Sequence, residues 1–212
     1  MSMSQIRSAV NDSITKVNPS FSVKPKQLEA IRNILNGSDT LAILPTSYGK
    51  SMIYQLLPAV CKLLPEKPND AIVIVISLLK ALIKDQVDAA NNMVSLSLKA
   101  TDLGMEKFKP ISTGQYNVIV DTPEAWLDDD RWKAVLSSHI FRKNVVCVVI
   151  DEAHKVSWGE SSPDGVIFRA AFSRIGIIRS FCSNMFLFWH SVQLLIKIIV
   201  NLLMSRVVVR LK

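Results

Sequence analysis

Two short clusters of residues carry chemistry that the rest of the chain must hold in place. Leu44-Pro45-Thr46-Ser47-Tyr48-Gly49-Lys50-Ser51 ends in a glycine, a cation and a hydroxyl. A turn of this kind feeding a helix offers backbone N–H donors and a favourable dipole to an anion. Lys50 has the charge and reach for the β- and γ-phosphates of a nucleotide, and the Ser51 hydroxyl suits Mg2+. A hundred residues after Ser51 comes Asp151-Glu152-Ala153-His154, directly behind the apolar run Val145–Ile150. A carboxylate at the end of a buried strand can hold the magnesium shell, and the next can orient and deprotonate an attacking water. Each cluster alone has a plainer reading: a helix start after a surface turn, and an acidic N-cap pair. The general pattern G-x-x-x-x-G-K-[ST] is also missed at its first glycine, where Leu44 stands. Together, in this order and each behind an apolar run, they imply binding and hydrolysis of a nucleoside triphosphate with magnesium.

The elements that must position these clusters read as α/β. Ile6, Val10, Ile14 and Val17 repeat at helical spacing until Asn18-Pro19, a short amphipathic helix packed on the domain or on a neighbour. Pro25 suits the first turn of a second helix with Leu28, Ile31, Ile34 and Leu35 on its apolar face, and Gly37 suits its end. Thr40–Leu44 reads as a buried strand, followed by a helix over about 51–64 that Pro58 should kink or whose regular part it should end. Ala71–Ile76 is continuously apolar, as a central parallel strand is. A helix over about 79–93, strands at Asn117–Val120 and Val145–Ile150, and a helix at Trp126–Ser137 complete the pattern. Strands alternating with helices predict a parallel sheet sandwiched by helices, with ligands at the strands' C-terminal ends. Both clusters lie there.

The chain has 212 residues, about one domain, and 49% of them are hydrophobic, which excludes general disorder. Cys61, Cys147 and Cys182 are far apart and form no disulfide or metal pattern, so a reducing compartment is expected. The first residues lack the apolar run of a signal peptide. The net charge is +7, but seven of the 25 basic residues lie in Gly165–Lys212, which has no Asp or Glu. The part before it balances 18 basic against 18 acidic residues. Basicity is thus a property of the C-terminal stretch, which weakens composition as an argument for nucleic acid.

Pro45-Thr46-Ser47-Tyr48-Gly49-Lys50-Ser51 resembles the phosphate loop of superfamily 2 helicases, and Asp151-Glu152-Ala153-His154 is similar to the box that names the DEAH group. Tyr54-Gln55-Leu56-Leu57-Pro58, Lys84-Asp85-Gln86-Val87 and Trp158-Gly159 narrow the resemblance to RecQ-type DNA helicases, over about residues 21–180. The resemblance implies a single RecA-like P-loop NTPase domain that uses ATP and Mg2+ and contacts single-stranded or partly duplex DNA, with a nuclear location. It implies that Pro45, Thr46, Ser47, Tyr48, Gly49, Lys50 and Ser51 cradle ATP and that Gln27 reads adenine. It further implies that Ser51 and Asp151 hold magnesium, and that Glu152, with Lys50 and Asp151, forms the catalytic set. Ser77 and Lys84 would lie near the DNA backbone, and Thr122-Pro123-Glu124 matches another strand-end motif. His154 would couple nucleotide to DNA, and Trp158, Phe168, Arg169 and Phe172 would belong to an aromatic-rich loop that senses single-stranded DNA. Aromatic faces and arginine suit that task. Position alone also fits Gln27 as an exposed helix residue, His154 as a structural histidine, and Phe168 and Phe172 as one helix face. Two departures stand out: Ser47 replaces a glycine of the family's loop, and Glu160–Ile167 lengthens the aromatic loop, as in divergent animal RecQ-like sequences. The alternative from another class is a non-catalytic nucleotide- or DNA-binding module that regulates a partner.

The chain thus divides into a helical extension (1–20), an ATP-binding domain (21–180) and an apolar, basic tail (181–212). Such helicases next place a strand ending in Ser/Thr-Ala-Thr and then a second RecA-like domain with an arginine finger. Instead the tail reads Phe186-Leu187-Phe188-Trp189, Leu194-Leu195-Ile196 and Ile198-Ile199-Val200. It has three readings: a membrane span, a native final helix and strand, or a non-homologous ending. His190, Gln193, Lys197 and Asn201 interrupt the first, so no membrane association is expected. The loss of acidic residues and of the next motif favours the third. These residues alone are expected to bind ATP weakly, to hydrolyse it slowly and not to unwind DNA processively.

Overall fold

The apolar runs of the sequence become the strands of one parallel sheet. The computed structural model describes residues 1–16, 22–45, 48–77, 80–91, 97–99, 116–151, 185–189 and 207–210. In chain order these form α1 (Met3–Thr15), α2 (Pro25–Leu35), β1 (Thr40–Ile43), α3 (Lys50–Gln55), α4 (Leu57–Lys62), β2 (Ile72–Ser77), α5 (Lys80–Asn91) and β3 (Ser97–Lys99). Then follow β4 (Val118–Asp121), α6 (Pro123–Asp128), α7 (Asp130–Ser137), α8 (His139–Asn144), β5 (Val145–Asp151), β6 (Met185–Trp189) and β7 (Val207–Arg210). The strand order is β3-β4-β2-β5-β6-β1-β7, and each pairing is parallel. β2 is buried along its whole length between β4 and β5, which is why its sequence is an unbroken apolar run.

Local chemistry sets the helix ends. Ser2 and Gln5 form a capping box at the start of α1: the Gln5 N–H donates to Ser2 Oγ at 3.3 Å and the Ser2 N–H to Gln5 Oε1 at 3.0 Å. Ile6, Val10 and Ile14 are buried in the core that also takes Leu28, Ile31, Ile34 and Leu35 of α2. The N-terminal helix therefore packs on the domain; Val17 lies outside the described residues. Pro25 opens α2, and Gly37 beyond its end takes φ 82°, as expected of a left-handed cap residue.

The helix expected over 51–64 divides at Leu56 into α3 and α4, with Pro58 in the first turn of α4, where its missing N–H costs no hydrogen bond. The helix expected over 126–137 starts earlier and is split. Thr122 caps α6, with the Ala125 N–H donating to its Oγ1 at 3.4 Å, and Asp129 caps α7, accepting the Arg131 N–H at 2.9 Å. Trp126 and Trp132, one from each helix, pack with ring centroids 4.5 Å apart. α8 has no repeating apolar face, since Phe141 is buried while Ile140 is exposed, and β3 has three residues, too few for a period to show. β6 and β7 both come from the apolar tail. Among the described residues no helix is long and apolar enough to cross a membrane.

Cys61 on α4 is fully buried, and burial pushes its thiol up to about 12, with the Lys67 charge working in the opposite direction. In the unfolded chain the thiol ionises near pH ~8.5. The proton is therefore held more tightly in the folded state, and this contribution to stability is whole below pH ~8.5 and is lost as pH rises toward about 12. Peptide mapping after iodoacetamide treatment at pH 8 is expected to find Cys61 unmodified in the native protein and modified once denaturant is added. Rapid native labelling would contradict the burial.

Candidate nucleotide site

Parallel strands deliver their C-terminal ends to one edge of the sheet. At that edge β1 runs into buried Leu44 and exposed Pro45. The Tyr48 N–H donates back to the Pro45 carbonyl at 3.2 Å, closing the turn. Gly49 then takes the left-handed conformation, φ 82° and ψ 43°, and α3 begins at Lys50. Any side chain would be strained at that φ, and a Cβ on Gly49 would lie 2.8 Å from Gln27 Nε2.

Gln27 fixes this turn from inside. It is 1% exposed. Its Nε2 donates to the carbonyls of Tyr48 at 3.0 Å and Gly49 at 2.9 Å, and its Oε1 accepts the Lys24 N–H at 2.9 Å. A buried amide needs such partners, since an unmade bond costs about 1–3 kcal/mol. Lys24 adds a second hold: its Nζ lies 4.4 Å from the centre of the Tyr48 ring and donates to the Tyr48 carbonyl at 3.3 Å. The position-based reading of Gln27 as an exposed helix residue thus does not describe this chain.

The acidic side of the site lies two strands away. Asp151 is the last residue of β5 and is aligned with Ser77 at the end of β2; Asp121, ending β4, is aligned with Ile76. Between β5 and β1 lies only β6. Strands are spaced about 4.8 Å apart, so the two halves of the site sit roughly 10 Å apart, room for a phosphate chain and a hydrated cation. Gln86 on α5 donates its Nε2 to Asp151 Oδ2 at 2.5 Å. Tyr54 on α3 is buried, and its hydroxyl is held well above its ordinary pKa by burial and then by the Asp151 charge. Asp151 is therefore felt one helical turn beyond Lys50. Asp121 is buried and accepts the Thr122 N–H at 2.7 Å.

The structure thus gathers Gln27, Pro45, Tyr48, Gly49, Lys50 and Ser51 around one turn and sets Asp151 on the same sheet edge. Ser77 is buried beside Asp151, and Lys84 is exposed on α5. Thr46, Ser47, Glu152, His154, Trp158, Phe168, Arg169 and Phe172 lie outside the described residues. An ammonium group, a hydroxyl and a half-buried carboxylate form a donor set that suits phosphate oxygens and a hard divalent cation. Lys24, Tyr54, Asp121 and Gln86 were not singled out from the sequence. Tyr54 and Gln86 stood within the segments that carry the family resemblance; Lys24 and Asp121 carried no signal beyond directly preceding Pro25 and the Thr122-Pro123-Glu124 motif.

Gly49→Ala is expected to lower the unfolding free energy by about 1–3 kcal/mol, from left-handed strain and displacement of the Gln27 amide. Urea denaturation followed by circular dichroism measures it. An unchanged midpoint would show that the turn relaxes freely.

A family model described as DEAD/DEAH box helicase matches residues 24–165. An ATP-dependent DNA helicase of Schizosaccharomyces pombe (hus2/rqh1) is 36% identical over 164 residues, 74% of this chain and 12% of that protein. The RecQ-like DNA helicase BLM of Xenopus laevis is 32% identical over 167 residues, 74% of this chain and 11% of the relative. The ATP-dependent DNA helicase RecQ of Haemophilus influenzae is 29% identical, across 75% of this chain and 24% of its own length. The chain thus spans less than a quarter of the length of each of these relatives. Among solved structures, a hypothetical ATP-dependent RNA helicase from Sulfolobus tokodaii covers 95% of this chain and is matched over 56% of its own, with a TM-score of 0.65 at 16% identity, a likeness of fold. With strands, phosphate turn and strand-end acid in this arrangement, and with a match over most of its length, the chain belongs to the DEAD/DEAH box helicase family.

Proposed function

We propose that this chain is the ATP-binding, first RecA-like domain of a RecQ-type DNA helicase, and that its sheet edge binds ATP with Mg2+. One observation carries the reading: the Gly49-Lys50-Ser51 turn and Asp151 lie at the same sheet edge, with one strand between them. Lys50 neutralises phosphate charge, and the backbone turn held by Gln27 and Lys24 presents the loop. Ser51 and Asp151 are the magnesium ligands, and Glu152, the next residue, is the base for the attacking water. When bound, magnesium offsets the charge of the phosphate oxygens. Gln27 spends its amide on the loop in this structure, so reading adenine would require it to exchange a loop carbonyl for the base.

The DNA side rests on the relatives, whose names describe DNA helicases. Exposed Lys84 on α5 suits a phosphate contact. His154, Trp158, Phe168, Arg169 and Phe172 would form the coupling and base-stacking set, and Ser77 at the end of β2 would lie near the DNA backbone. Residues 21–180 make up the ATP-binding domain, 1–20 a helical extension packed on it, and 181–212 a tail that adds β6 and β7 to the sheet. A nuclear location is the reading that the eukaryotic DNA helicases among the relatives support.

ATP turnover with and without single-stranded DNA tests this. The wild-type chain is expected to hydrolyse ATP slowly, and Lys50→Ala and Glu152→Gln to reduce turnover by about 10²-fold or more. Equal turnover in all three, with DNA binding intact, would instead favour a non-catalytic nucleotide- or DNA-binding module.

A further inference from the structure

The strand-end carboxylate Asp151 is held by a residue from another element. Gln86 is a half-buried amide on α5, 65 residues away in sequence, and its Nε2 donates to Asp151 Oδ2 at 2.5 Å. Its Oε1 is buried and has no hydrogen-bond partner among the described residues. The opposite placement of the amide would set that oxygen against the carboxylate, two acceptors face to face, so Asp151 fixes which way Gln86 points. The hold is reciprocal. The terminal torsion of an aspartate is broad and two-fold, and a donor on Oδ2 favours one orientation of the carboxylate. The helix that carries Gln86 is itself anchored, because Ile83 is buried and Val87 packs against the core.

We infer that Gln86 is a positioning residue for the magnesium–ATP site: it orients the Asp151 carboxylate and ties that orientation to α5. This rests on the reading of Asp151 as a magnesium ligand. Outer partners of metal ligands fix ligand direction and basicity, and losing one typically costs about 10–100-fold in metal affinity. Asp151 is half-buried at a strand end, where the ladder fixes its backbone, and Gln86 reaches its side chain from a separate helix.

The test is equilibrium binding of a fluorescent N-methylanthraniloyl ATP to the 212-residue chain, in EDTA and across a magnesium titration. Gln86→Met keeps the length of the side chain and removes the donor. It is expected to raise the Mg2+ concentration for half-maximal tightening by about 10-fold, with affinity in EDTA unchanged. Asp151→Asn is expected to lose the magnesium-dependent tightening. If Gln86→Met titrates like wild type while Asp151→Asn does not, the role of Gln86 is overturned and the ATP site stands. Equal weakening in EDTA and in magnesium also overturns it, since a general structural role would do that. If Asp151→Asn titrates like wild type, the assignment of Asp151 fails and Gln86 fails with it. Should circular dichroism show Gln86→Met unfolded, Gln86→Ala is read by the same outcomes.

Discussion

Each ladder in this sheet is parallel, and the site depends on that constraint. A parallel strand must be reached by a crossover, so the chain returns to the same end before each new strand. All C-terminal ends then emerge together, and residues a hundred positions apart become neighbours. The same constraint explains the distribution of polarity. Strands covered on both faces accept apolar residues along their length. Polar groups are pushed to the last position: Ser77 ends β2, Asp121 ends β4 and Asp151 ends β5. The chemistry sits there because the interior of the sheet has no room for it.

Strand polarity brings the two halves of the site together but does not fix their side chains or turns. That is done by amide side chains, one buried and one half-buried. Gln27 binds two carbonyls of the Tyr48-Gly49 turn and one N–H of its own helix start, so the turn and the first residues of α2 form one unit. Gln86 does the corresponding work for Asp151. In both cases a neutral, hydrogen-bonding side chain from a helix reaches a functional group on a strand or turn. A neutral amide can be buried at a lower cost than a charge, and it orients its partner without changing the charge of the site. Donors set in advance need no rearrangement when ligand charge arrives.

The turn before α3 was legible in the sequence because Gly49-Lys50-Ser51 stands directly behind an apolar strand. The break between α3 and α4 was legible because Pro58 has a fixed backbone consequence. The partners of these groups were not. A glutamine on a helix carries no sign of what it faces, and the partner of Gln86 is 65 residues away; only the fold brings them together. Gln27 was identified by resemblance, but its burial was not, because its polarity argues for exposure. The split between α6 and α7 escaped notice because both halves keep the same apolar period. β6 stood only as one of three readings of the tail, because a short apolar run fits a strand, a buried helix or a membrane segment equally well.

β6 has a consequence for the site that its sequence does not advertise. It pairs with β5 through Met185, Phe186 and Leu187 and with β1 through Phe186, Leu187, Phe188 and Trp189. Were β5 and β1 direct neighbours, the Lys50 turn and Asp151 would emerge about 4.8 Å apart, too close for phosphate and a hydrated cation to lie between them. Inserting one strand doubles that separation. The width of the site is therefore set by a segment that contributes no motif residue. Ladder bonds are made by the backbone and ask of the side chains only that they be apolar and suited to a pleated surface. Met185-Phe186-Leu187-Phe188-Trp189 meets that demand without the Ser/Thr-Ala-Thr ending expected of a relative. The spacing of the two halves and the chemistry that follows this strand are thus separable: the first needs any strand of this character, and the second needs particular residues beyond it.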